Sequence, residues 1–132
     1  MTEPTLYKRL GSYDMIAAIT DDFLDRLIAD EQMHRFFFGA SESTRTRRRQ
    51  HIVDFICSKT GGPCAYTGRS MKDAHKGLQI SESDWDRLTN ILLDSLKIFN
   101  LQNKEIEELL ALINSTKEDI VERRWFFIYP LP

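Results

Sequence analysis

Apolar residues recur at three- and four-residue spacing along most of the chain, a pattern that predicts amphipathic helices. The first long helix should begin at a Ser12 cap and end near Ala29. Its buried stripe comprises Ile16, Ile19, Phe23, Leu27 and Ile28. A short aromatic element should follow between residues 30 and 39, containing Phe36, Phe37 and Phe38.

Further helical segments are predicted over 45–59, where a Gly-Gly-Pro sequence ends the helix, and over 71–78 as one or two turns. Ser81 or Ser83 can open a long helix, because Ser-x-x-Asp occurs twice there. The last helix should begin at Asn103. The inward stripes of these two helices are Trp85, Leu88, Leu92, Leu96 and Phe99, then Ile106, Leu109, Leu110, Ile113 and Ile120.

Neither glycine nor proline occurs between Leu78 and Tyr129, which a domain rich in β-turns would rarely tolerate. The fold class is therefore all-α. A length of 132 residues fits one domain. We expect a single domain over 1–132, with a core of about residues 5–120 and an aromatic tail over 121–132. The apolar run in that tail should pack on the domain or form a dimer, membrane or partner contact.

The charge balance is nearly neutral, with 18 Lys and Arg against 20 Asp and Glu, a formal charge of −2. Such a balance argues against a chain that coats nucleic acid or an acidic membrane. No apolar stretch is long enough to span a bilayer, and the first ten residues lack a secretory pattern. We expect a cytoplasmic protein. Cys57 and Cys64 should accordingly be free thiols, although their spacing would allow a bridge.

The three histidines offer the clearest candidate chemistry. His75 shares one helical face with Met71 and Leu78, so its imidazole is either a core group bonded to a carbonyl or an axial ligand beneath a large apolar cofactor. His51 lies beside Ile52 in an arginine-rich helix. The arginines at 45, 47 and 49 fit a solvated first turn, whereas Arg48 shares one helical flank with His51 and Ile52. The arginine run also suits a nearby anionic partner, since cations are unfavourable at the positive end of a helix dipole.

The segment 61–78, GGPCAYTGRSMKDAHKGL, resembles the glycine-rich loop and proximal-histidine segment of group I truncated haemoglobins. The opening LYKRLG, the later Asp-Asp-Phe at 21–23 and the pair Phe36-Phe37 are also similar to that family. The resemblance covers roughly residues 5–120. It implies a two-over-two helical sandwich around haem b, with His75 as the proximal iron ligand.

The same resemblance implies the remaining site residues. Phe37 would pack on the porphyrin, and an apolar sleeve would exclude water from the iron. Cationic groups would pair with the propionates at the pocket mouth. The sleeve would comprise Met71, Leu78, Phe55 and Trp85, and the propionate partners Arg48, His51 or Lys72.

Two departures from the family concern the gas-binding side of the pocket. Leu24 stands where members commonly have a tyrosine, and Ile52 stands where a glutamine is common. Both polar partners of a bound gas are thus replaced by hydrocarbon, which should speed dioxygen release more than carbon monoxide release. His51 matches a position that some members use as a second axial ligand. It is therefore also a metal-ligand candidate.

The resemblance implies a haem protein that reversibly binds dioxygen or another diatomic gas. One alternative is a nitric oxide dioxygenase that works with an external reductase, so an enzymatic role stays open. Another is a helical interaction module without a cofactor.

Overall fold

The computed structural model describes residues 3–123, in which helices are joined by turns and loops and the one β-type contact is an isolated bridge between Ser81 and Arg123. The predicted tail from Arg124 onward lies outside the described residues. The helices are α1 (Leu6–Leu10), α2 (Ser12–Ala29), a 3-10 turn (His34–Phe36), α3 (Glu42–Lys59), α4 (Met71–His75), α5 (Glu82–Ile98), α6 (Asn103–Asn114) and α7 (Lys117–Ile120). Among these residues, no helix combines the length and apolar character needed to cross a membrane.

Two helix pairs build the domain. Helix α2 packs on α3, α5 packs on α6, and the pairs meet where α2 contacts α5. Residues from these four helices and from α1 form the main core, as the amphipathic stripes predict, but Ile28 at the end of the predicted α2 stripe is exposed. Its buried members are Leu10, Ile16, Ile19, Val53, Ile56, Cys57, Leu92, Leu96, Ile106 and Leu109.

The start of α2 differs from the prediction that Ser12 caps it. Gly11, with φ of 108°, ends α1 and is also the N-cap of α2, and no side chain caps the helix. Because a single residue separates the two helices, the chain must change direction there. A left-handed glycine makes this possible.

Helix α3 begins at Glu42, three residues before the predicted start. The Ser41 hydroxyl accepts a hydrogen bond from the Thr44 amide, so the serine-rich segment is a cap rather than a turn. Glu42 occupies the first turn, where an acidic group is favourable. The arginines therefore lie farther inside the helix than predicted and farther from the positive end of its dipole. Their position is thus a weaker indication of an anionic partner.

Asp84 links α5 to the segment before α3. Its carboxylate accepts hydrogen bonds from the Ser81 amide at 2.9 Å, Gln32 Nε2 at 2.9 Å and Arg35 Nη2 at 2.6 Å. The Ser81 hydroxyl in turn accepts from the Asp84 amide, completing a capping box. Burial raises the pKa of Asp84, but the hydrogen bonds from Ser81, Gln32 and Arg35 outweigh it and leave the pKa below its ordinary value.

Replacing this carboxylate should cost stability in a pH-dependent way. Because the folded-state pKa is lowered, the stability from ionised Asp84 is fully present above its unfolded pKa of about 3.9 and is lost as pH falls through the folded value. We expect Asp84→Asn to lower the free energy of unfolding by about 2 kcal/mol at pH 7. The difference from wild type should narrow below about pH 4.

Urea unfolding monitored by circular dichroism from pH 7 to pH 3 measures this difference. Asp86→Asn is the matched control, because Asp86 lies on the same helix and is exposed. The role of ionised Asp84 would be contradicted if the loss of free energy of unfolding relative to wild type were constant over the whole pH range. It would also be contradicted if this loss were equal in the two variants.

The expectation of free thiols is wrong: Cys57 and Cys64 form a disulfide, with Cα atoms 5.7 Å apart. The chain folds back at the end of α3, where the Gly62 amide donates to the Cys57 carbonyl at 2.8 Å. A Cβ at Gly62 would lie 2.5 Å from a Tyr7 ring carbon and 2.7 Å from Cys57 Sγ, so only glycine fits. This close reversal brings the two cysteines together. The prediction of free thiols rested on the redox state that is usual for cytoplasmic proteins and did not include this reversal. The bridge ties the following loop to α3.

Candidate functional site

A mostly apolar cavity of about 790 Å³ lies between the helix pairs. This volume falls in the upper part of the range of about 300–1,000 Å³ that is usual for small-molecule and cofactor sites. Its wall draws on every helix from α2 to α7 and on the loop at residues 66–69. The cavity is therefore a product of the whole fold rather than of one motif.

Nearly all residues predicted for the site line this cavity. They are Leu24, Phe37, Arg48, His51, Ile52, Phe55, Met71, His75, Leu78 and Trp85. Lys72 does not line it and is exposed on α4. Trp85 is buried, whereas Leu78 remains 43 % exposed. Within residues 3–123, no cluster of three or more His, Cys, Asp or Glu side chains could hold a metal ion.

The imidazole of His75 is oriented by its own helix. Its Nδ1 lies 2.7 Å from the Met71 carbonyl oxygen, which can only accept, so Nδ1 carries the proton. In the neutral ring, Nε2 is then the nitrogen that bears a free lone pair. A ligating histidine is commonly oriented in this way, by donating its other ring nitrogen to a carbonyl.

Helix α4 is short and is held at both ends. At its start, the Ser70 hydroxyl accepts from the Asp73 amide at 3.1 Å. After its end, the Glu122 carboxylate accepts from the Gly77 amide at 2.9 Å and the Gln79 amide at 2.7 Å. These two amides lower the pKa of Glu122 below its ordinary value. The position of His75 thus depends on the chain after α7.

Leu24 and Ile52 give one part of the cavity a hydrocarbon surface. Leu24 is 8 % exposed and belongs to a second buried cluster with Leu27, Met33 and Ile91. Ile52 and Phe37 pack against this cluster. Neither Leu24 nor Ile52 can donate a hydrogen bond, so a molecule beside them must find a donor elsewhere.

Polar groups stand beside this hydrocarbon surface. The guanidinium carbon of Arg48 lies 4.8 Å from the centroid of the Phe37 ring. Burial, and secondarily the charge of Arg45, lowers the pKa of Arg48. The His51 ring meets the Tyr66 ring edge-on, with centroids 5.9 Å apart.

Tyr66 is a cavity residue that the sequence analysis did not single out. Its ring meets Phe55 edge-on at 5.4 Å, and its hydroxyl donates to the Arg69 carbonyl. Burial raises the pKa of Tyr66, with Arg69 acting in the opposite direction. The one available signal was its place in the glycine-rich loop, two residues after a cysteine. The disulfide that fixes this loop over the cavity was not predicted.

The residues that line the cavity would suit a flat, largely apolar cofactor with a metal that an imidazole can ligate. A porphyrin requires an apolar slot, an imidazole nitrogen for the iron and cations for its carboxylates. The cavity offers the aromatic and aliphatic walls, His75 Nε2 and the guanidinium of Arg48.

Comparison with known proteins agrees with this chemistry. The family model of bacterial-like globins matches residues 5–122. The group 1 truncated haemoglobin of Tetrahymena pyriformis is 29 % identical over 122 residues, covering 92 % of this chain and 98 % of that protein. A group 1 truncated haemoglobin of Mycolicibacterium paratuberculosis is 30 % identical over 109 residues, covering 83 % of this chain and 78 % of that one.

The structural comparison agrees with the sequence comparison. The crystal structure of the Tetrahymena pyriformis truncated haemoglobin in its Fe(III) form superposes with a TM-score of 0.83 at 27 % identity. The match covers 91 % of this chain and 100 % of that chain. The two helix pairs described above are therefore the two-over-two arrangement that the resemblance implied. The chain belongs to the bacterial-like globins as a group I truncated haemoglobin, a haem protein that binds diatomic gases.

Proposed function

We propose that the protein binds haem b through Nε2 of His75 and uses the hydrocarbon side of the cavity to bind dioxygen, carbon monoxide or nitric oxide reversibly. When bound, the haem supplies the iron that coordinates the gas. The orientation of His75 is the observation that carries the proposal. Its Nδ1 proton is engaged by the Met71 carbonyl at 2.7 Å, within a cavity of about 790 Å³.

In this proposal, the other residues of the cavity wall hold the cofactor and exclude water from it. Phe37 and Phe55 offer aromatic faces, while Met71, Leu78 and Trp85 supply apolar contact. Excluding water strengthens every electrostatic contact in the site and protects a reduced metal from side reactions. These residues thus stabilise the cofactor without taking part in chemistry.

Cations near the pocket mouth would hold the propionates. Lys72 is exposed beside Met71, which suits a carboxylate that projects toward water. His51 is a second candidate for that role, and it also has a ring nitrogen that could occupy the second axial position. Absorption spectra distinguish the two roles, because His51→Ala should convert a low-spin spectrum to a high-spin one only if His51 is an axial ligand.

Titration of the purified protein with haemin tests the proposed function. We expect one equivalent to bind, with a sharp Soret band that shifts when the reduced protein meets carbon monoxide. An interaction module without a cofactor would bind no haemin stoichiometrically, and this result would overturn the proposal. Nitric oxide consumption in the presence of a reductase would distinguish a dioxygenase from a reversible gas-binding protein.

A further inference from the structure

The Cys57–Cys64 disulfide is a reactive group that the proposed function does not use. Its two ends differ in accessibility, because Cys57 is fully buried in the main core whereas Cys64 is only half-buried. A disulfide is reduced when a thiolate reaches one of its two sulfur atoms. A reductant in solution should therefore attack at Cys64 and leave the buried Cys57 as the departing thiol.

The segment that follows the bridge, residues 63–69, is called the Cys64 loop here. Within the part of the chain that the structure describes, no backbone hydrogen bond joins this loop to α3 or to any other helix. A side-chain hydrogen bond connects it to α4, where Arg69 Nη1 donates to the Asp73 carbonyl at 3.4 Å. Segments with few backbone hydrogen bonds open at low free-energy cost. The disulfide is thus the main tie between this loop and α3.

The Cys64 loop is also part of the cavity wall, to which its residues 66–69 contribute. The Tyr66 ring contacts two cavity residues of α3 edge-on, His51 at 5.9 Å and Phe55 at 5.4 Å between centroids. The Tyr66 hydroxyl donates to the Arg69 carbonyl of the same loop. Because this bond is internal to the loop, the ring should move with the loop and leave a gap in the wall.

The helices on either side of the loop are held by contacts that do not involve sulfur. The Gly62 amide donates to the Cys57 carbonyl at 2.8 Å at the end of α3. The Ser70 hydroxyl accepts from the Asp73 amide at 3.1 Å at the start of α4. Reduction of the bridge should therefore free the loop while both helices stay in place.

We propose that the Cys57–Cys64 disulfide is a thiol–disulfide exchange site for a dithiol reductant, and that its reduction releases the Cys64 loop and opens the cavity wall at Tyr66. A thiolate of the reductant bonds to Cys64 Sγ and expels the Cys57 thiolate. The second thiol of the reductant then displaces Cys64 and closes the reductant's own disulfide, so that two electrons and two protons pass to the protein. Because the sequence has two cysteines, reoxidation within one chain can restore only this bridge.

The inference adds a means of regulation to the proposed function and rests on it for the haem measurement below. The motion of the loop can be measured separately, by ¹⁵N relaxation of the ferrous carbon monoxide form with and without dithiothreitol. The iron is already reduced in this form, so the disulfide is the group that the dithiol changes. The order parameters of amides 64–69 should fall from about 0.85 to below about 0.6, while those of α3 stay unchanged.

Haem transfer from the ferric protein to apomyoglobin measures the opening of the wall without any added reductant. Cys64→Ser should accelerate transfer about 2–10-fold, the range expected when an aromatic contact is lost. Tyr66→Ala, which keeps the bridge, should accelerate it by a similar factor, and the double variant should be no faster than either. Ala65→Ser is the matched control, because it adds a hydroxyl at an exposed position of the same loop and should transfer haem as wild type does.

Four outcomes would overturn the proposal. In the first, alkylation and mass spectrometry show that the dithiol leaves the bridge of the folded protein intact. In the second, the order parameters of the loop are the same in both redox states. In the third, the effects of Cys64→Ser and Tyr66→Ala on haem transfer multiply in the double variant, as independent effects would. In the fourth, reduction removes the helical circular dichroism, which would make the bridge a support of the whole fold.

A wild-type chain that takes up no haem would refute the proposed function itself. The relaxation measurement on the haem-free protein would then decide the present inference, which an increase in the motion of the Cys64 loop on reduction supports and an unchanged loop contradicts.

Discussion

Substitution of His75 by alanine should abolish tight haem binding. The variant loses the Nε2 lone pair of a cavity-lining imidazole whose Nδ1 is engaged by the Met71 carbonyl. Loss of an outer partner of a metal ligand commonly costs about 10–100-fold in affinity, so loss of the ligand itself should cost more than about 100-fold. Haemin titration, read from the Soret band and from the rate of haem transfer to apomyoglobin, measures the change.

Two variants keep this prediction specific. His75→Gly should recover a histidine-like spectrum when imidazole is added, because the free base can enter the space left by the side chain. His34→Ala should bind haem as wild type does, since His34 does not line the cavity and its Nδ1 bonds to the Ile28 carbonyl. Unchanged haem affinity in His75→Ala would show that another residue holds the iron.

Introducing a hydroxyl at position 24 should slow dioxygen release. Leu24 is almost fully buried against the cavity and supplies no donor. Dioxygen on ferrous iron carries partial negative charge, and a donor in a dry site stabilises such an acceptor by about 1–3 kcal/mol. Leu24→Tyr should therefore lower the dissociation rate by about 10–100-fold, since each 1.4 kcal/mol corresponds to a factor of ten. Stopped-flow displacement by carbon monoxide measures the rate.

Leu24→Phe is the matched control for this experiment, because it adds the ring without the hydroxyl. Overpacking a buried site costs about 1–3 kcal/mol of stability, and both variants share that cost. The ratio of their release rates isolates the hydrogen bond. Carbon monoxide release should differ far less between them, as that ligand is less polarised. Equal dioxygen release from the two variants would indicate that another donor, such as Arg48, already controls the rate.

The long helices were predictable because their apolar stripes repeat over several turns, and α2 and α5 begin and end close to the predicted residues. The predicted last helix begins at Asn103 as expected but is divided into α6 and α7, so that Ile120 lies on the second of these. Local turn chemistry was harder to predict. Ser12 looked like a cap, yet the tight connection between α1 and α2 left that position to Gly11. At α3, Ser41 provided the cap and moved the helix start three residues earlier than the arginines suggested.

The lining of the cavity was predictable where a short motif supplies it, and less so where distant segments of the chain meet. Met71 and His75 lie one turn apart, so their contact follows from sequence spacing. The contacts that hold α4 and the loop at residues 66–69 in place do not follow from sequence spacing. Glu122 reaches the Gly77 amide across 45 residues, and the position of Tyr66 depends on a disulfide made possible by a chain reversal at Gly62. Such contacts depend on tertiary packing, which periodicity does not encode.

A crystal structure of the haem-loaded ferric protein would test the assignment of His75 most directly. We expect a porphyrin within the cavity between the helix pairs, iron at coordination distance from Nε2 of His75, and Nδ1 still donating to the Met71 carbonyl. Iron ligated by a residue other than His75 on the side proposed for His75 would contradict the assignment. A cavity filled by side chains, with the haem bound outside it, would contradict it as well.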